Sequence, residues 1–389
     1  MVLNHYNFSM KKFDLIVIGA GAAGVMAASV AARRELRVAV LDMGDQPLRK
    51  VLASGGGRCN FTNSAVGADR YFGENPKFAI SALSAFTPFD LLEWARARGL
   101  SSVEKSPGQY FCGEGAGAFA KALLADIGAE IFTDVYVEDV LEGFVVKTSA
   151  VEFEASKIII ATGGASYAQL GVSDVGYKIA KKFGHKIVPP CPALVGLKTD
   201  VFGAEFSGLS LMAEVRAGRS VVRDSLLFTH FGIGGPAAYR ASLFDLSDGI
   251  EIDFMPGVDA YRLLLCAKKS HGAEVVSAVL ARHLPARFAN WVAAELAEKR
   301  LADLKDALLL GLSKKLHHFK INAVSRRGFE HAEITKGGVS TAQISSKTFE
   351  SKLVPGLYFI GEVLDIAGDL GGFNLHFAFA SGVAAGAAV

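Results

Sequence analysis

Apolar runs predict the first elements of the chain. Residues 13–18 (FDLIVI) are almost entirely apolar and precede a glycine, which is typical of a buried parallel strand. The alanine-rich stretch 22–34 predicts a helix, and residues 36–42 (LRVAVLD) predict a second strand. A strand, a glycine turn, a helix and a second strand together indicate a βαβ unit.

The hydrophobic pattern changes several times farther along. Helices are predicted around 76–85, 89–98 and 116–126. Short apolar runs between 129 and 164 then predict a small meander that returns into the main sheet. After three prolines at 189, 190 and 192, residues 194–257 alternate as strands do and residues 259–316 have helical periodicity. The glycine-rich character of the first part returns from about residue 331.

These changes predict an α/β fold in which a Rossmann-like domain is interrupted by a second domain. The interrupting domain is β-rich, is expected on the substrate side, and carries a helical insertion. The predicted boundaries are 1–190 with 331–389 for the first domain, 191–257 with 318–330 for the second, and 258–317 for the insertion.

The turn after the first strand has the spacing of a dinucleotide-binding fingerprint. Gly19-Ala-Gly21-Ala-Ala-Gly24 follows a predicted strand and opens a predicted helix. Gly19 permits the tight turn, Gly21 lets the backbone approach a pyrophosphate, and Gly24 allows close helix–strand packing. Asp42 ends the next strand, where it would accept hydrogen bonds from the adenosine ribose.

Three later stretches favour FAD over NAD. Residues 158–164 (IIIATGG) predict a strand that ends in a small-residue turn near the adenine. Residues 356–365 (GLYFIGEVLD) predict a buried strand with a carboxylate, Glu362, near the ribityl and phosphate region. A helix from about 373 to 387 follows Gly371-Gly372, and its N-terminus would face the flavin ring. A site begun by the first fifty residues and completed by the last sixty is usual for FAD.

The glycine run at 52–63 (LASGGGRCNFTN) has a matching interpretation. Gly55–Gly57 would expose backbone N–H groups to anionic oxygens, and Arg58 would neutralise the diphosphate. Asn60 and Asn63 would bind carbonyl groups or hold the loop. The alternative is a structural loop without ligand contact.

The predicted cofactor contacts come from all of these motifs. They are Gly19, Gly21, Ala22, Ala23, Gly24, Asp42, Met43, Lys50, Ser54, Gly55, Gly56, Gly57, Arg58, Cys59, Asn60, Ala161, Thr162, Gly163, Gly361, Glu362, Asp365, Gly372, Phe373 and Asn374. NAD(P)H is a candidate transient reductant, since the sequence does not identify the electron donor or acceptor. Because a second dinucleotide fingerprint is missing, it would share the substrate cleft or use a non-Rossmann surface.

Four side chains are candidates for catalysis. Cys59 is a candidate redox thiol, although no second Cys follows four or five positions on. His230 either faces substrate or packs in the core, and His376 either approaches the flavin or packs. Tyr167 is a candidate donor on the substrate side. The spacing of the histidines matches no metal-binding motif, so we predict no metal site.

Cysteine usage and the N-terminal sequence bear on location. The 389 residues contain four Cys without a C-x-x-C pair, which fits a reducing cytoplasm. The sequence has neither an apolar run of membrane-spanning length nor a signal-peptide core, so no membrane partner is expected. Met10, followed by two lysines, is an alternative natural start to Met1. The sequence does not indicate an oligomeric state.

Charge is uneven along a chain whose formal net charge is +2. Residues 255–330 contain 13 Lys and Arg against seven acidic residues. Such a segment would suit a polyanion such as RNA, and the alternative is a solvated helical surface.

Seven segments together carry a family resemblance. GAGAAG, SGGGRCNFTN, ATGGASY, GHKIVPPCPALVGL, LLFTHFGIGGP, TKGGVS and the block from GLYFIGEVLD to FASG occur in this order. From 13 to 388 the chain resembles the bacterial BaiN-like flavoproteins, also called the aminoacetone-oxidase family. The resemblance implies an FAD domain interrupted by a β-rich domain with a helical insertion. It also implies activities that range from oxidation of small amino ketones to reduction of steroid enones and of ribosomal RNA uridine.

Three functions are therefore compatible with the sequence. The first is an FAD-dependent oxidoreductase that transfers hydride to or from a small conjugated or amine-bearing substrate. The second is a flavoenzyme that reduces a uridine double bond in ribosomal RNA, with RNA held by the basic segment 255–330. The third is a flavin-binding protein without turnover.

Overall fold

The computed structural model describes residues 10–125, 127–297 and 299–389. Its strands are β1 Lys11–Ile18, β2 Val38–Leu41, β3 Asn60–Asn63, β4 Tyr71–Phe72, β5 Ser102–Ser106, β6 Gln109–Cys112, β7 Glu130–Phe132, β8 Val137–Val140, β9 Val145–Thr148, β10 Phe153–Ile160, β11 Ile187–Ala193, β12 Leu197–Lys198, β13 Ser210–Ala217, β14 Ser220–Thr229, β15 Gly232–Gly234, β16 Ile250–Asp253, β17 Phe319–Ile321, β18 Ser325–Arg326, β19 Ile334–Val339, β20 Leu357–Phe359 and β21 Ala367–Gly368.

The helices are α1 Ala22–Ala32, α2 Arg49–Gly57, α3 Ile80–Ala85, α4 Pro88–Arg96, α5 Ala116–Ala125, α6 Val175–Lys182, α7 Gly235–Ala241, α8 Ala260–Ser270, α9 Val276–Leu280, α10 Ala286–Val292, α11 Asp306–His317 and α12 Phe373–Ala388. Helices α1, α3, α4, α5 and α12 lie where helices were predicted, and α8 to α11 fall in the predicted helical segment, whereas α2, α6 and α7 were not predicted. The last residue of the predicted helix 116–126 and the N-terminal tail before Met10 lie outside the described residues. No helix within the described ranges combines the length and the apolar character that a bilayer span requires.

The chain divides into two compact units. The first runs to Pro192 and resumes at Glu333, and the second comprises Ala193–Ala332. The first therefore contains both ends of the described chain, with the second inserted between them.

A mostly parallel sheet forms the centre of the first unit. Its strand order is β7-β2-β1-β10-β9-β8, and β20 also pairs with β10. The pairs among β7, β2, β1, β10 and β20 are parallel, whereas β8, β9 and β10 form antiparallel pairs. The predicted Rossmann-like sheet with a returning meander is confirmed. Leu15, Ile16 and Val17 are fully buried, which explains why β1 is apolar at successive positions.

Helices α1 and α12 pack side by side in the first unit because small residues line their contact. A Cβ at Gly382 would lie 2.5 Å from the Ala23 carbonyl oxygen, and a Cβ at Gly386 would lie 2.5 Å from the Ala27 oxygen. Any larger residue would force the two helices apart. This packing joins the N-terminal βαβ unit directly to the C-terminal helix.

The glycine run differs from the expected loop. Residues 49–57 form α2 with a kink, where Ser54, Gly55 and Gly56 leave helical dihedral angles, and residues 60–63 form strand β3 paired with β6. Gly55 and Gly56 adopt φ of 58° and 64°, a region that glycine enters without strain. The helix kinks there, and the chain then continues into β3.

The second unit is a seven-stranded sheet covered by helices. Its strand order is β17-β16-β13-β14-β15-β12-β18, with antiparallel pairing. Phe228 on β14, Phe254 and Phe288 on α10 meet in one core, with 4.7 Å between the ring centroids of Phe254 and Phe288. The helices of 260–317 thus share a hydrophobic core with the sheet.

Candidate cofactor site

In the turn between β1 and α1, neighbouring backbone atoms crowd Gly19 and Gly24 but leave space beside Gly21. A Cβ at Gly19, where φ is 110°, would lie 2.4 Å from the Ala161 oxygen, and a Cβ at Gly24 would lie 1.9 Å from the Gly19 oxygen. A Cβ at Gly21 would meet no atom within 4 Å. Gly19 and Gly24 are therefore required by the protein itself. The open side at Gly21, beside the first N–H groups of α1, is where an anion can approach.

A cleft lies at the carboxyl end of β1 and β2, where parallel α/β sheets bind nucleotides. It opens to solvent. Its lining residues are Ile18, Gly19, Leu41, Asp42, Met43, Arg49, Val135, Tyr136, Val137, Thr162, Gly171, Ser173 and Val175. Gly19, Asp42, Met43 and Thr162 belong to the predicted cofactor contacts. The segments 135–137 and 171–175, and Arg49, were not predicted.

Asp42 holds the nucleotide turn. Its Oδ2 accepts a hydrogen bond from the Ala20 N–H at 2.7 Å, and its Oδ1 accepts from the Gly44 N–H at 2.8 Å. The carboxylate also lines the cleft. Its predicted contact with an adenosine ribose would use the remaining lone pairs.

Arg49 closes one wall of the same cleft. Its Nη2 lies 3.3 Å from Asp42 Oδ1. Ideal Cβ positions at Gly44 and Gly171 would lie 2.1 and 2.9 Å from guanidinium atoms, so the group packs between two glycine backbones. No sequence motif indicated Arg49, because its neighbours Gly44 and Gly171 are far apart in the chain.

We expect Arg49→Ala to weaken FAD binding roughly tenfold, about 1.4 kcal/mol. The change removes a donor from Asp42 and the contact that orders Gly44 and Gly171. Fluorescence titration of the apoprotein with FAD measures it. Arg96→Ala, at an exposed arginine paired with Glu93, is the matched control. Equal FAD affinity in the two variants would exclude a role for Arg49 in the cleft.

The residues present fit the adenosine diphosphate part of FAD. The Thr162 Oγ1 is buried and has no hydrogen-bond partner among the residues that the structure describes, although Thr162 lines the cleft. A buried hydroxyl without a partner normally costs stability, so its position suits a polar ligand. The open space at Gly21 suits a pyrophosphate.

The kinked end of α2 exposes backbone. Gly56 and Gly57 are exposed with φ of 64° and 81°, and a Cβ at either would meet no atom within 4 Å. Arg58 is also exposed, and its Nε donates to the Gly55 oxygen at 3.2 Å. Ser54 Oγ donates to the Val51 oxygen at 2.7 Å. Contact between this segment and a diphosphate stays a prediction.

Cys59 has the environment of a structural thiol. It is fully buried, and burial raises its pKa to about 12. The thiol is therefore protonated at neutral pH, which disfavours nucleophilic or redox chemistry. Cys112, at the end of β6, is also buried. Its N–H donates to the Cys59 oxygen at 3.1 Å.

An ion-pair network joins α2 to the C-terminal part of the first unit. Lys50 Nζ lies 2.6 Å from Glu362 Oε2 and donates to Ser166 Oγ at 2.9 Å. Ser166 Oγ and the Thr335 N–H each donate to Glu362 Oε1 at 2.8 Å. Burial alone would raise the pKa of Glu362, but the Lys50 ammonium and these donors outweigh it and lower the pKa below its ordinary value. The carboxylate therefore stays ionised.

The start of α12 is fixed by the protein's own contacts. A Cβ at Gly372, where φ is 94°, would lie 2.5 Å from the Thr62 oxygen and 2.8 Å from Asn60 Oδ1. Gly372 is thus needed for packing against β3, whether or not a flavin is near. Asn374 Oδ1 accepts from the Gly368 N–H at 2.7 Å, and its Nδ2 donates to the oxygen of Gly368, so this amide holds the turn before the helix.

Three more of the predicted cofactor contacts, Phe373, Asp365 and Asn60, have partners within the first unit. Phe373 is buried and stacks edge-on against Tyr71, with 6.3 Å between ring centroids. Asp365 is buried and accepts from the Glu74 N–H at 2.8 Å, and burial raises its pKa. Asn60 donates to Gln109 Oε1 at 2.9 Å, while its buried Oδ1 has no partner. That second unpaired oxygen also suits a polar ligand.

His376 packs inside the first unit. Its ring is fully buried, with Nδ1 2.9 Å from Thr62 Oγ1 and Nε2 3.0 Å from the Phe86 oxygen. Because the Phe86 carbonyl can only accept, Nε2 carries the proton and Nδ1 accepts from Thr62. The ring is thus packed within the first unit, and its approach to a bound flavin stays a prediction.

This packing predicts a pH dependence of stability. Burial lowers the pKa of His376 from 6.5 to about 4, despite the Phe86 contact and the Asp90 charge, which raise it. Between these values the unfolded chain binds a proton that the folded chain does not. The stabilisation is therefore complete above pH 6.5 and is lost as pH falls towards 4, by up to about 3 kcal/mol.

Denaturant unfolding of the protein across this pH range tests the expectation. His376→Gln should remove most of the slope, even if it lowers stability overall. His283→Gln, at an exposed histidine, should keep the slope of the unchanged protein. An unaltered slope in His376→Gln would assign the pH dependence to other groups.

The two remaining catalytic candidates lie in different units. Tyr167 belongs to the first, has φ of 60°, and donates its hydroxyl to Glu333 Oε2 at 2.8 Å. His230 belongs to the second and is exposed after β14, with its ring edge-on to Phe231 at 5.2 Å. His230 is therefore not a core histidine. Catalytic roles for both stay predictions.

Comparison with known proteins places the chain in a family. It matches the HI0933-like protein Rossmann domain family over residues 13–388. It is 37% identical over 95% of its length to the ribosomal RNA dihydrouridine synthase of Haemophilus influenzae, of which 96% is covered. It is 35% identical to the Escherichia coli protein of the same name, with 96% of each chain covered.

A third relative has a different name. The 3-dehydro-bile acid delta(4,6)-reductase of Clostridium scindens is 31% identical, with 96% of this chain and 98% of the relative covered. The fingerprint, the cleft and a sheet built from both ends of the chain agree with these matches. Together they confirm the family that the sequence motifs indicate. The chain belongs to the HI0933-like Rossmann-domain family of FAD-binding flavoproteins and is an FAD-dependent oxidoreductase.

Proposed function

We propose that this protein reduces a carbon–carbon double bond conjugated to a carbonyl group, and that NAD(P)H is the reductant. One observation carries the proposal: relatives that align along nearly the whole chain have names that describe such a reaction. Dihydrouridine is uridine with its ring double bond saturated next to a carbonyl. The bile-acid relative is named for reduction of ring double bonds. The shared chemistry is hydride addition to a conjugated alkene.

Ribosomal RNA uridine is the substrate that we favour. The two relatives named for that reaction are 37% and 35% identical to this chain. The excess of Lys and Arg in residues 255–330 is consistent with an RNA substrate. A small conjugated ketone is the second candidate, supported by the 31% identical relative.

Different residues of the chain would hold different parts of the cofactor. The turn at Gly21 and the cleft around Asp42 and Thr162 would hold the adenosine diphosphate part. Lys50 and Glu362 would lie nearer the ribityl region. Bound FAD would supply the hydride chemistry, which no side chain can supply. Tyr167, with its hydroxyl proton directed to Glu333, is the candidate proton donor to the substrate carbon.

Product analysis tests the proposal. The holoprotein is incubated without oxygen with NADPH or NADH and either unmodified ribosomal RNA transcript or a steroid dienone. Nuclease digestion and mass spectrometry detect dihydrouridine, and the same instrument detects the saturated steroid. We expect dihydrouridine to form. A saturated steroid alone would favour the second candidate. Oxidation of an amine substrate, or no turnover despite bound FAD, would overturn the proposal.

A further inference from the structure

A cluster of planar side chains stands on the surface of the second unit. Arg327 Cζ lies 4.1 Å from the ring centroid of Phe231, and the His230 ring meets Phe231 edge-on at an interplanar angle of 85°. Arg327 also donates to the His331 ring. His230 and His331 are exposed, whereas Phe231 and Arg327 are half-buried. We call these four residues the Phe231 cluster.

The backbone around the cluster is fixed from one strand segment. The Thr199 N–H donates to the Phe231 oxygen at 3.2 Å, and the Arg327 N–H donates to the Gly196 oxygen at 3.0 Å. A Cβ at Gly196 would lie 2.7 Å from the Phe231 ring, so the ring packs directly on this glycine. The segment 196–199 therefore holds both halves of the cluster in place without help from a ligand.

Two neighbouring arginines have opposite roles. Arg326 donates to the carbonyl oxygens of Ser242 and Phe244 at 2.8 and 2.6 Å, so its guanidinium is engaged in hydrogen bonds within the second unit. Arg327 instead places its guanidinium over an aromatic ring at the surface. A guanidinium stacked in this way offers a flat, cationic face to a second planar group.

Charge and shape favour a nucleotide over a neutral ring system. Lys198, exposed on β12, pairs through its backbone with Gly232 and Ser325, so it lies between the strands that adjoin Phe231 and Arg327. Glu330 is the acid at the cluster, 3.5 Å from His331. Single-stranded RNA is recognised by bases that stack on aromatic rings and guanidinium planes, with cations on the phosphates. A steroid ring system would make no use of the cationic face.

Part of the positive charge of the basic segment is already paired within the fold. Lys268 pairs with Asp306 at 2.7 Å, and Arg282 pairs with Glu274 at 2.6 Å. The positive excess of residues 255–330 is thus a weaker guide to a binding surface than Arg327, whose position is built on Phe231.

We propose that the Phe231 cluster binds an unpaired base of single-stranded RNA by stacking, with Lys198 facing the phosphate backbone. The inference rests on the proposed function, because it concerns how an RNA substrate is held. It adds a contact surface on the second unit that the reaction chemistry does not require.

Binding of a fluorescein-labelled oligouridine to the holoprotein, followed by anisotropy over a salt series, tests it. Phe231→Leu and Arg327→Lys should each weaken binding roughly five- to hundredfold, the range for losing a stacked base. Arg327→Lys keeps the charge and loses the plane, so it separates stacking from attraction of charge. Arg219→Ala, at an exposed arginine in the turn between β13 and β14 and outside the basic segment 255–330, is the control and should bind nearly as the unchanged protein does.

The remaining results decide separately whether the variants are folded, whether the inference holds and whether the proposed function holds. Flavin content and reduction by NADPH should be unchanged in the variants, which shows that they are folded. Oligouridine affinity equal to that of the unchanged protein in both variants would overturn the inference, while dihydrouridine formation by the unchanged protein would leave the proposed function standing. Loss of steroid reduction with retained RNA affinity would also overturn it. If the unchanged protein neither binds nor reduces RNA, the inference fails together with RNA as the substrate, and reduction of the steroid dienone then decides whether the proposed double-bond reduction stands.

Discussion

A protein carrying Gly21→Val is expected to purify folded and without flavin. A Cβ at Gly21 meets no protein atom within 4 Å, so the folded chain tolerates the side chain. The same space is the one that a pyrophosphate must enter beside the first N–H groups of α1. We expect FAD retention to fall below detection, while circular dichroism stays close to that of the unchanged protein.

Gly24→Val is the matched control for this result. A Cβ at Gly24 would lie 1.9 Å from the Gly19 carbonyl oxygen, so the substitution must distort the turn itself. That variant should lose stability by several kcal/mol, the scale for overpacking at a tight backbone contact, whether or not FAD is present. A yellow Gly21→Val protein would contradict the placement of the pyrophosphate.

Breaking the ion pair between Lys50 and Glu362 is expected to have the second-largest effect. In Lys50→Met, the Glu362 carboxylate keeps its donors from Ser166 and Thr335 but loses its counter-charge. Loss of one partner of a buried pair costs about 3–5 kcal/mol. Because the Lys50 side chain is 34% exposed, solvent screens part of this, and we expect about 2–3 kcal/mol.

Urea unfolding of the apoprotein measures this loss separately from FAD binding. Lys12→Met removes an exposed ion pair with Glu154, whose two side chains are 69% and 36% exposed, and should cost no more than about 1 kcal/mol. Equal losses in Lys50→Met and Lys12→Met would show that the Lys50–Glu362 network does not stabilise the first unit.

Local patterns were sufficient to predict the nucleotide-binding half of the fold. The apolar strand β1, the glycine turn and α1 are adjacent in sequence, and each determines the conformation of the next. The C-terminal helix was also predicted nearly to the residue, from 373 to 387 against Phe373–Ala388. In these elements the residues that determine the structure are neighbours along the chain.

Contacts between distant residues could not be predicted in the same way. The cleft wall at Val135–Val137 exists because β7 pairs beside β2, and Arg49 lies there because Gly44 and Gly171 leave room for it. His376 is neutral because burial lowers the pKa of its ring, and Thr62 and Phe86, which contact the ring, are both remote in sequence. The glycine run was expected as a loop because glycine disfavours helix, yet Arg49–Ala53 extend α2 up to the kink.

One measurement tests the central claim most directly, that this flavoprotein passes hydride from NAD(P)H to a conjugated double bond. The holoprotein is reduced without oxygen by a stoichiometric amount of NADPH or NADH in a stopped-flow instrument and then mixed with ribosomal RNA transcript. The account predicts that the flavin band bleaches in the first step, that it returns in the second, and that dihydrouridine forms in equal amount. A flavin that NAD(P)H does not bleach, or a bleached flavin that neither RNA nor a conjugated ketone reoxidises, would contradict it.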